Sequence, residues 1–280
     1  MAHLSIASSS YGKSRVRLVK VERHEGRNDL REMTVNIRFE GAFDRTYTDG
    51  DNARILATDT MKNTVYALAA QQRIGPNEHF AKRLAEHFLA HNEHVTEVRI
   101  DIAEHLWHRL DWHSFQKGGS ERRIARVTAG RTRKSIWGGI DDLIVLKTTN
   151  SSFEGYLRDS YTTLPETGDR ILATAVKAMW KYSVPAPDFD ACWTGIRDTL
   201  LASFVAHRSR SVQHTLYAMA EAALAQHSEI EEIRISMPNK HCIAVNLEPL
   251  GIENRNEVFV PIDEPHGLIE ATLVRKPYIH

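Results

Sequence analysis

The chain has 280 residues and a mass of 31.8 kDa, room for about two domains. Hydrophobic residues make up 42% and charged residues 26%, which excludes a fibrous or wholly disordered chain. Thirty-six Lys and Arg balance 36 Asp and Glu, so the chain is not built mainly to coat nucleic acid.

Taken in chain order, residues 1–10 lack a charged leader region and a long apolar run, so no secretory signal is expected. Met33, Val35, Ile37 and Phe39 alternate with polar residues and predict a half-buried strand. Asp51 to Ala70 and Asn77 to His91 read as helices, the second with Phe80, Leu84 and Phe88 in one apolar stripe. Val98, Ile100 and Ile102 predict a second strand, and Arg122 to Thr128 a further one. Leu143 to Lys147 and Arg170 to Tyr182 are strand candidates in the second half. Asp188 after Pro187 is a plausible helix N-cap. Phe189, Trp193, Ile196 and Leu200 then mark one helix, and Val212, Leu216, Met219 and Ala223 another. Ile233, Ile235 and Met237 alternate as a last strand.

The chain also repeats itself. At an offset of 135 residues, Ala85 to Ile102 and Ala220 to Met237 share seven of 18 positions, among them Leu89/Leu224, Arg99/Arg234 and Ile100/Ile235. Two copies of one ββααββ unit follow, an antiparallel sheet with two helices on one face, in an α+β arrangement. The expected domains are residues 1–138 and 139–280.

Nucleotide loops, the H-E-x-x-H pair and the G-x-S-x-G elbow are all missing. Seven of 15 histidines lie between His79 and His113, and His87 and His91 have a spacing that could hold a metal. No third ligand is placed, so a solvated or partly buried cluster is favoured and no metal is expected. Arg122, Arg123, Arg126, Arg131, Arg133 and Lys134 form a basic run. It reads either as a phosphate-contacting segment or, favoured here for want of interleaved aromatics, as a solvated edge strand. Asn150-Ser151-Ser152 is a formal glycosylation sequon, discounted without a secretion signal. Two cysteines, Cys192 and Cys242, fit a reduced compartment. No run approaches 18 apolar residues, so no membrane helix is expected.

Polar residues beside turn chemistry cluster at Tyr11-Gly12-Lys13, at Thr58-Asp59-Thr60, from Phe153 to Arg170, and at Met237-Pro238-Asn239-Lys240-His241. With DNARILATDTMKNTVYALA, LKTTNSSFEGYLRDSYTTLPETGDRILAT, SVQHTLYAMAEA, MPNKH and NEVFVPIDEPHGLIEATL in that order, the chain resembles the urate oxidase (uricase) family from Tyr11 almost to its end. The stretch from about Ala103 to Gly138 matches weakly.

The resemblance implies two tandem tunnelling-fold (T-fold) domains and a homotetramer with active sites at subunit interfaces. It implies oxidation of urate by dioxygen to 5-hydroxyisourate and hydrogen peroxide with no cofactor, dioxygen being a co-substrate. Lys13, Thr58 and His241 are the implied catalytic group. Thr58, Asp59, Phe153, Leu164, Arg170, Val212, Gln213 and Asn239 are the implied substrate-binding set. Those side chains suit a flat purine anion: Phe153 offers a ring face, Arg170 a donor fork and Gln213 both a donor and an acceptor. Without the resemblance, Arg170 reads as a surface ion pair with Asp169 or Glu166, and Gln213 as a helix cap. Lys13 likewise reads as a surface cation before a strand, and His241 as a strand-end histidine. The end, Pro277 to His280, lacks the peroxisomal tripeptide, which points to a bacterial-type cytoplasmic member. The competing readings are another T-fold enzyme binding a purine or pterin, and a nucleic-acid-binding protein using residues 122–134. Neither a membrane nor a nucleic acid is an expected partner.

Overall fold

The computed structural model describes residues 4–131, 133–184 and 186–276. The readings made on the first three residues and on Pro277 to His280 lie outside them. The chain divides into two compact units, Met1–Gly139 and Ile140–His280.

The first unit runs β1 (Tyr11–His24), β2 (Arg27–Gly41), a short α1 (Asp44–Thr48), α2 (Thr58–Gln71), α3 (Asn77–His91), β3 (Val95–Arg109) and β4 (Phe115–Gly130). The four strands pair antiparallel in chain order. Val35 lies opposite Ile102, Ile37 opposite Ile100 and Phe39 opposite Val98, while Ile100 in turn faces Val127. Period-two alternation therefore puts every one of these side chains on one face, and all are buried. Helix α3 lies over β3 and β4, and α2 over β1. They close that face with Met61, Val65, Phe80, Leu84 and Phe88. Each fully buried side chain of this size contributes roughly 1.5–3 kcal/mol.

Two expectations need correction here. The helix expected from Asp51 begins at Thr58. Residues 51–57 turn instead, because the Asp51 carboxylate accepts the Ala53 N–H at 3.0 Å and Asn52 O accepts the Ile55 N–H at 3.0 Å. The basic run is solvated only in part: Arg131, Arg133 and Lys134 are exposed, while the run's cations within β4 are not. Arg123 is 6% exposed and donates to the fully buried Glu78 at 3.0 Å. Arg126 pairs with Asp101 at 2.5 Å and Lys134 with Glu86 at 3.3 Å. Three of the six cations already meet a carboxylate of the fold, which counts against a continuous phosphate-binding stripe and the nucleic-acid reading.

Strand β5 (Lys134–Lys147) contains the boundary between the units. The second unit continues with β6 (Leu172–Tyr182), α4 (Phe189–Ala206), α5 (Val212–Gln226), β7 (Ile230–Ser236), β8 (Asn239–Ala244), a 3-10 turn (Glu248–Leu250), β9 (Phe259–Gly267) and β10 (Glu270–Val274). The strand expected from Arg170 starts two residues later, at Leu172. Strand β7 is flanked by β6 and β10, with Ile235 opposite both Ala178 and Ala271. Asp188 caps α4 as expected, accepting the Ala191 N–H at 3.0 Å. The order matches the first unit, with the β8–β9 hairpin inserted before the closing strand. The repeated segments occupy equivalent places, each running from the end of the second helix into the strand after it, and Ala85 and Ala220 are both fully buried.

Candidate active site

In the first unit the Tyr11 ring is held edge-on between Phe39 and Phe43, at 5.7 and 4.8 Å between centroids. Its hydroxyl accepts the Leu56 N–H at 2.9 Å. That bond ties the turn before α2 to β1, so Thr58 and Asp59 open their helix beside the strand that carries Lys13. Gly12 makes the approach possible: a Cβ there would lie 1.9 Å from the Ile37 carbonyl oxygen. Immediately after Lys13 the pairing with β2 is interrupted before Val16, with Arg15 at φ 59° and its N–H on the Asn36 side chain at 2.8 Å. Bulges of this kind re-aim side chains.

Helix α2 starts without a side-chain cap. The first-turn N–H groups at Thr58 and Asp59 have no partner within the helix and favour an acceptor or an anion. Asp59 bonds Lys62 at 2.5 Å and Asn63 at 2.9 Å. Lys62 first, and Lys13 more weakly, hold its carboxyl below the usual range. Lys13 and Asp59 thus share one neighbourhood. Among the described residues no hydrogen bond joins Lys13 to Thr58.

In the second unit, residues 150–170 form a loop stapled at two places. Ser151 bridges to Ser209, with Ser152 N–H on Ser209 O at 2.8 Å and Ser209 N–H on Asn150 O at 2.9 Å. Phe153 and Thr167 exchange backbone bonds at 2.8 and 3.2 Å. The loop is therefore locked to the residues entering α5, whose N-cap Ser211 accepts the His214 N–H at 3.1 Å. Val212 is buried and Gln213 exposed in the first turn that follows. Ser211, not Gln213, is the cap.

The Phe153 ring stacks on Tyr156 at 4.8 Å and 10°. Tyr156 in turn donates its hydroxyl to Leu164 O, fixing the exposed Leu164 segment. The Arg170 guanidinium carbon lies 5.2 Å from the Phe153 centroid, a cation–π contact. Arg170 pairs with neither Asp169 nor Glu166, against the bland reading. Asp169 accepts from Thr149 at 2.5 Å and Ser151 N–H at 3.3 Å, while Glu166 accepts Gly155 N–H at 3.2 Å. Arg170 Nε is buried with no hydrogen-bond partner, and burial pushes the guanidinium pKa down. It stays charged at any ordinary pH. Asn239, opposite Thr174 at the start of β8, has its amide nitrogen 3.5 Å from His241 Nδ1. Lys240 between them turns away to Asp263 at 2.6 Å.

The second unit thus gathers Phe153, Arg170 and the α5 N-terminus on one stapled loop, with Asn239 and His241 together on β8. The first unit gathers Lys13, Thr58 and Asp59. Sequence reasoning missed Thr149, Ser151, Asp169, Tyr156 and Ser209. The polar density of residues 148–152 was the available signal, lying both in the glycosylation pattern and in the segment LKTTNSSFEGYLRDSYTTLPETGDRILAT. His87 and His91 stack at 4.3 Å, and no group of three or more metal-ligating side chains occurs among the described residues. None of the described helices is long and apolar enough to cross a membrane.

A family model described as Uricase matches residues 9–133 and 136–270. The uricase of Arthrobacter globiformis is 43% identical over 273 residues, spanning 97% of this chain and 90% of that protein. The uricase of Aspergillus flavus is 39% identical over 293 residues, 97% of each chain. The crystal structure of the Arthrobacter globiformis uricase superposes with a TM-score of 0.94 at 42% identity, covering 98% of this chain and 96% of that one.

Proposed function

The chain belongs to the uricase family and is an enzyme that oxidises urate, and we propose that it does so with dioxygen alone, at a site assembled from the residues described above. The observation that carries this assignment is Arg170: a half-buried guanidinium whose buried Nε has no partner, held against an aromatic ring and supplied with no carboxylate of its own. A positive fork beside a flat apolar face suits a planar anion with oxygen and nitrogen acceptors on one edge.

Urate stacks on Phe153 and places its anionic edge on Arg170. The Gln213 amide reads the neighbouring edge, with the backbone N–H groups of Val212 and Asp59 completing it and Leu164 closing the apolar side. The Thr58 hydroxyl and the Asn239 amide hold dioxygen, and afterwards water, over the ring. Lys13, Thr58 and His241 move protons between substrate, oxygen and water. Urate gives up an electron pair, dioxygen takes it with two protons to become hydrogen peroxide, and water adds its oxygen at C5. The products are 5-hydroxyisourate and peroxide, so urate, dioxygen and water balance them. The anion is electron-rich enough to reduce dioxygen itself, and the protein's tasks are to desolvate, orient and manage protons. No cofactor is required.

The same reading includes a homotetramer in which Lys13, Thr58 and Asp59 of one subunit meet Phe153, Arg170, Gln213, Asn239 and His241 of a neighbour. It also includes a cytoplasmic setting, which the two free cysteines, Cys192 and Cys242, suit. The test is urate absorbance, oxygen uptake and peroxide release in aerated buffer containing a chelator. Equal molar changes in all three are expected. Turnover that stops with chelator and returns with a metal would overturn the cofactor-free mechanism.

A further inference from the structure

Asp169 is the residue before Arg170, yet its carboxylate serves the opposite side of the loop. One oxygen accepts the Thr149 hydroxyl at 2.5 Å and the other the Ser151 N–H at 3.3 Å. Ser151 then returns its carbonyl to the Arg170 N–H at 2.7 Å. Asp169, Ser151 and Arg170 therefore close a small ring across the base of the loop. Asn150, inside that ring, sits at φ 60°, a left-handed conformation that costs a side-chain-bearing residue energy unless its surroundings hold it. Ser151 is 1% exposed and its bridging partner Ser209 fully buried. The Ser209 hydroxyl donates to Ser211 O at 3.0 Å, and Ser211 caps α5.

We propose that Asp169 is a positioning residue of the urate site: by clamping Thr149 and Ser151 it holds the Asn150 turn, and so keeps the Arg170 guanidinium against Phe153 and in step with the α5 N-terminus. The Thr149 hydrogen bond, followed by backbone N–H groups, also keeps the Asp169 carboxyl below its ordinary range, so it is an anion throughout the working pH range. The inference rests on the reading of Arg170 as urate's charged partner.

The test is a double-mutant cycle on the intact enzyme, with urate affinity measured by equilibrium binding without oxygen and kcat measured in aerated buffer. Asp169→Ala is expected to weaken urate binding about tenfold, the size of one lost charge-assisted hydrogen bond. kcat should fall by less than affinity does. Asp169→Asn keeps an acceptor oxygen and should recover most of the affinity. In an Arg170→Ala background, Asp169→Ala should change affinity less than about twofold, because the group it positions is gone. A full tenfold loss in that background would show action independent of Arg170 and overturn the proposal. So would unchanged affinity in Asp169→Ala when Arg170→Ala alone weakens binding. If Arg170→Ala itself leaves affinity intact, the assignment of Arg170 fails and takes this inference with it. Should Asp169→Ala not fold, Thr149→Val carries the same cycle with an expected loss of about threefold, and no loss there counts against the clamp.

Discussion

The Arg170 guanidinium sits 5.2 Å over the Phe153 ring although 17 residues separate the two, and its Nε is buried without a hydrogen-bond partner. Leaving a buried donor of a cation unpaired is costly unless a ligand acceptor completes it. Arg170→Ala should therefore weaken urate binding by on the order of 2–5 kcal/mol. Arg170→Lys should recover little, because an ammonium lacks the planar fork. Anaerobic binding titrations decide it, and an alanine variant with unchanged affinity rules out the role.

Lys13 is assigned to proton transfer and not to holding urate. Lys13→Met is expected to lower kcat by at least about a hundredfold, the scale of general acid–base catalysis, while urate affinity changes severalfold at most. A variant altered only in apparent affinity would make Lys13 a binding residue.

If the site is shared between subunits, two inactive variants can rescue each other. Lys13→Ala and Arg170→Ala, unfolded, mixed equally and reassembled, should return roughly a quarter of full activity, since each site draws its two positions from different chains. Recovery near zero in tetramers confirmed as mixed would mean that each site lies within one chain.

Gly12→Ala should damage both stability and activity. The added methyl would lie 1.9 Å from the Ile37 carbonyl oxygen and 2.8 Å from its carbon, both backbone atoms that cannot swing aside. Strand β1 must shift against β2, at a cost of roughly 1–3 kcal/mol, and Lys13 shifts with it. A urea midpoint equal to that of the unsubstituted protein would contradict the register.

Acid should destabilise the fold in two stages. Burial lowers the pKa of His87, His105 and His207, helped at His87 by His91, at His105 by Arg17 and at His207 by His214 and Lys147. The unfolded chain then binds more protons than the folded one below about pH 6.5, so stability falls as pH drops through that point. Asp59 and Asp169, held low by Lys62 and Thr149 respectively, add a second loss below about pH 4. Urea midpoints taken from pH 8 to pH 4 should decline, and the step between pH 7 and pH 5 should shrink in His207→Gln. A midpoint that rises on acidification would reverse the sign.

The amino-acid sequence determined the core of this protein wherever local period and burial agree. The alternation at Met33 to Phe39 and at Val98 to Ile102 marks β2 and β3, helix α3 runs between the expected ends, and the internal repeat announces two like units. Those signals are local because one buried face imposes its period on consecutive residues. Strand β1 was implied by the ββααββ order but given no bounds: of its valines and leucine only Val16 is buried, and Val19 is 58% exposed, so an edge strand carries no clean alternation. The β8–β9 hairpin is largely exposed and equally silent. The residue types of the candidate site were legible through the family's short words, but their partners were not. Arg123 finds Glu78 across 45 residues, and Ser151 finds Ser209 across 58. The Asp169 carboxylate accepts from Thr149 and does not pair with Arg170. Such pairings are decided when loops from separate elements are brought together by packing, and only then does a buried donor or carboxylate have a choice of partner.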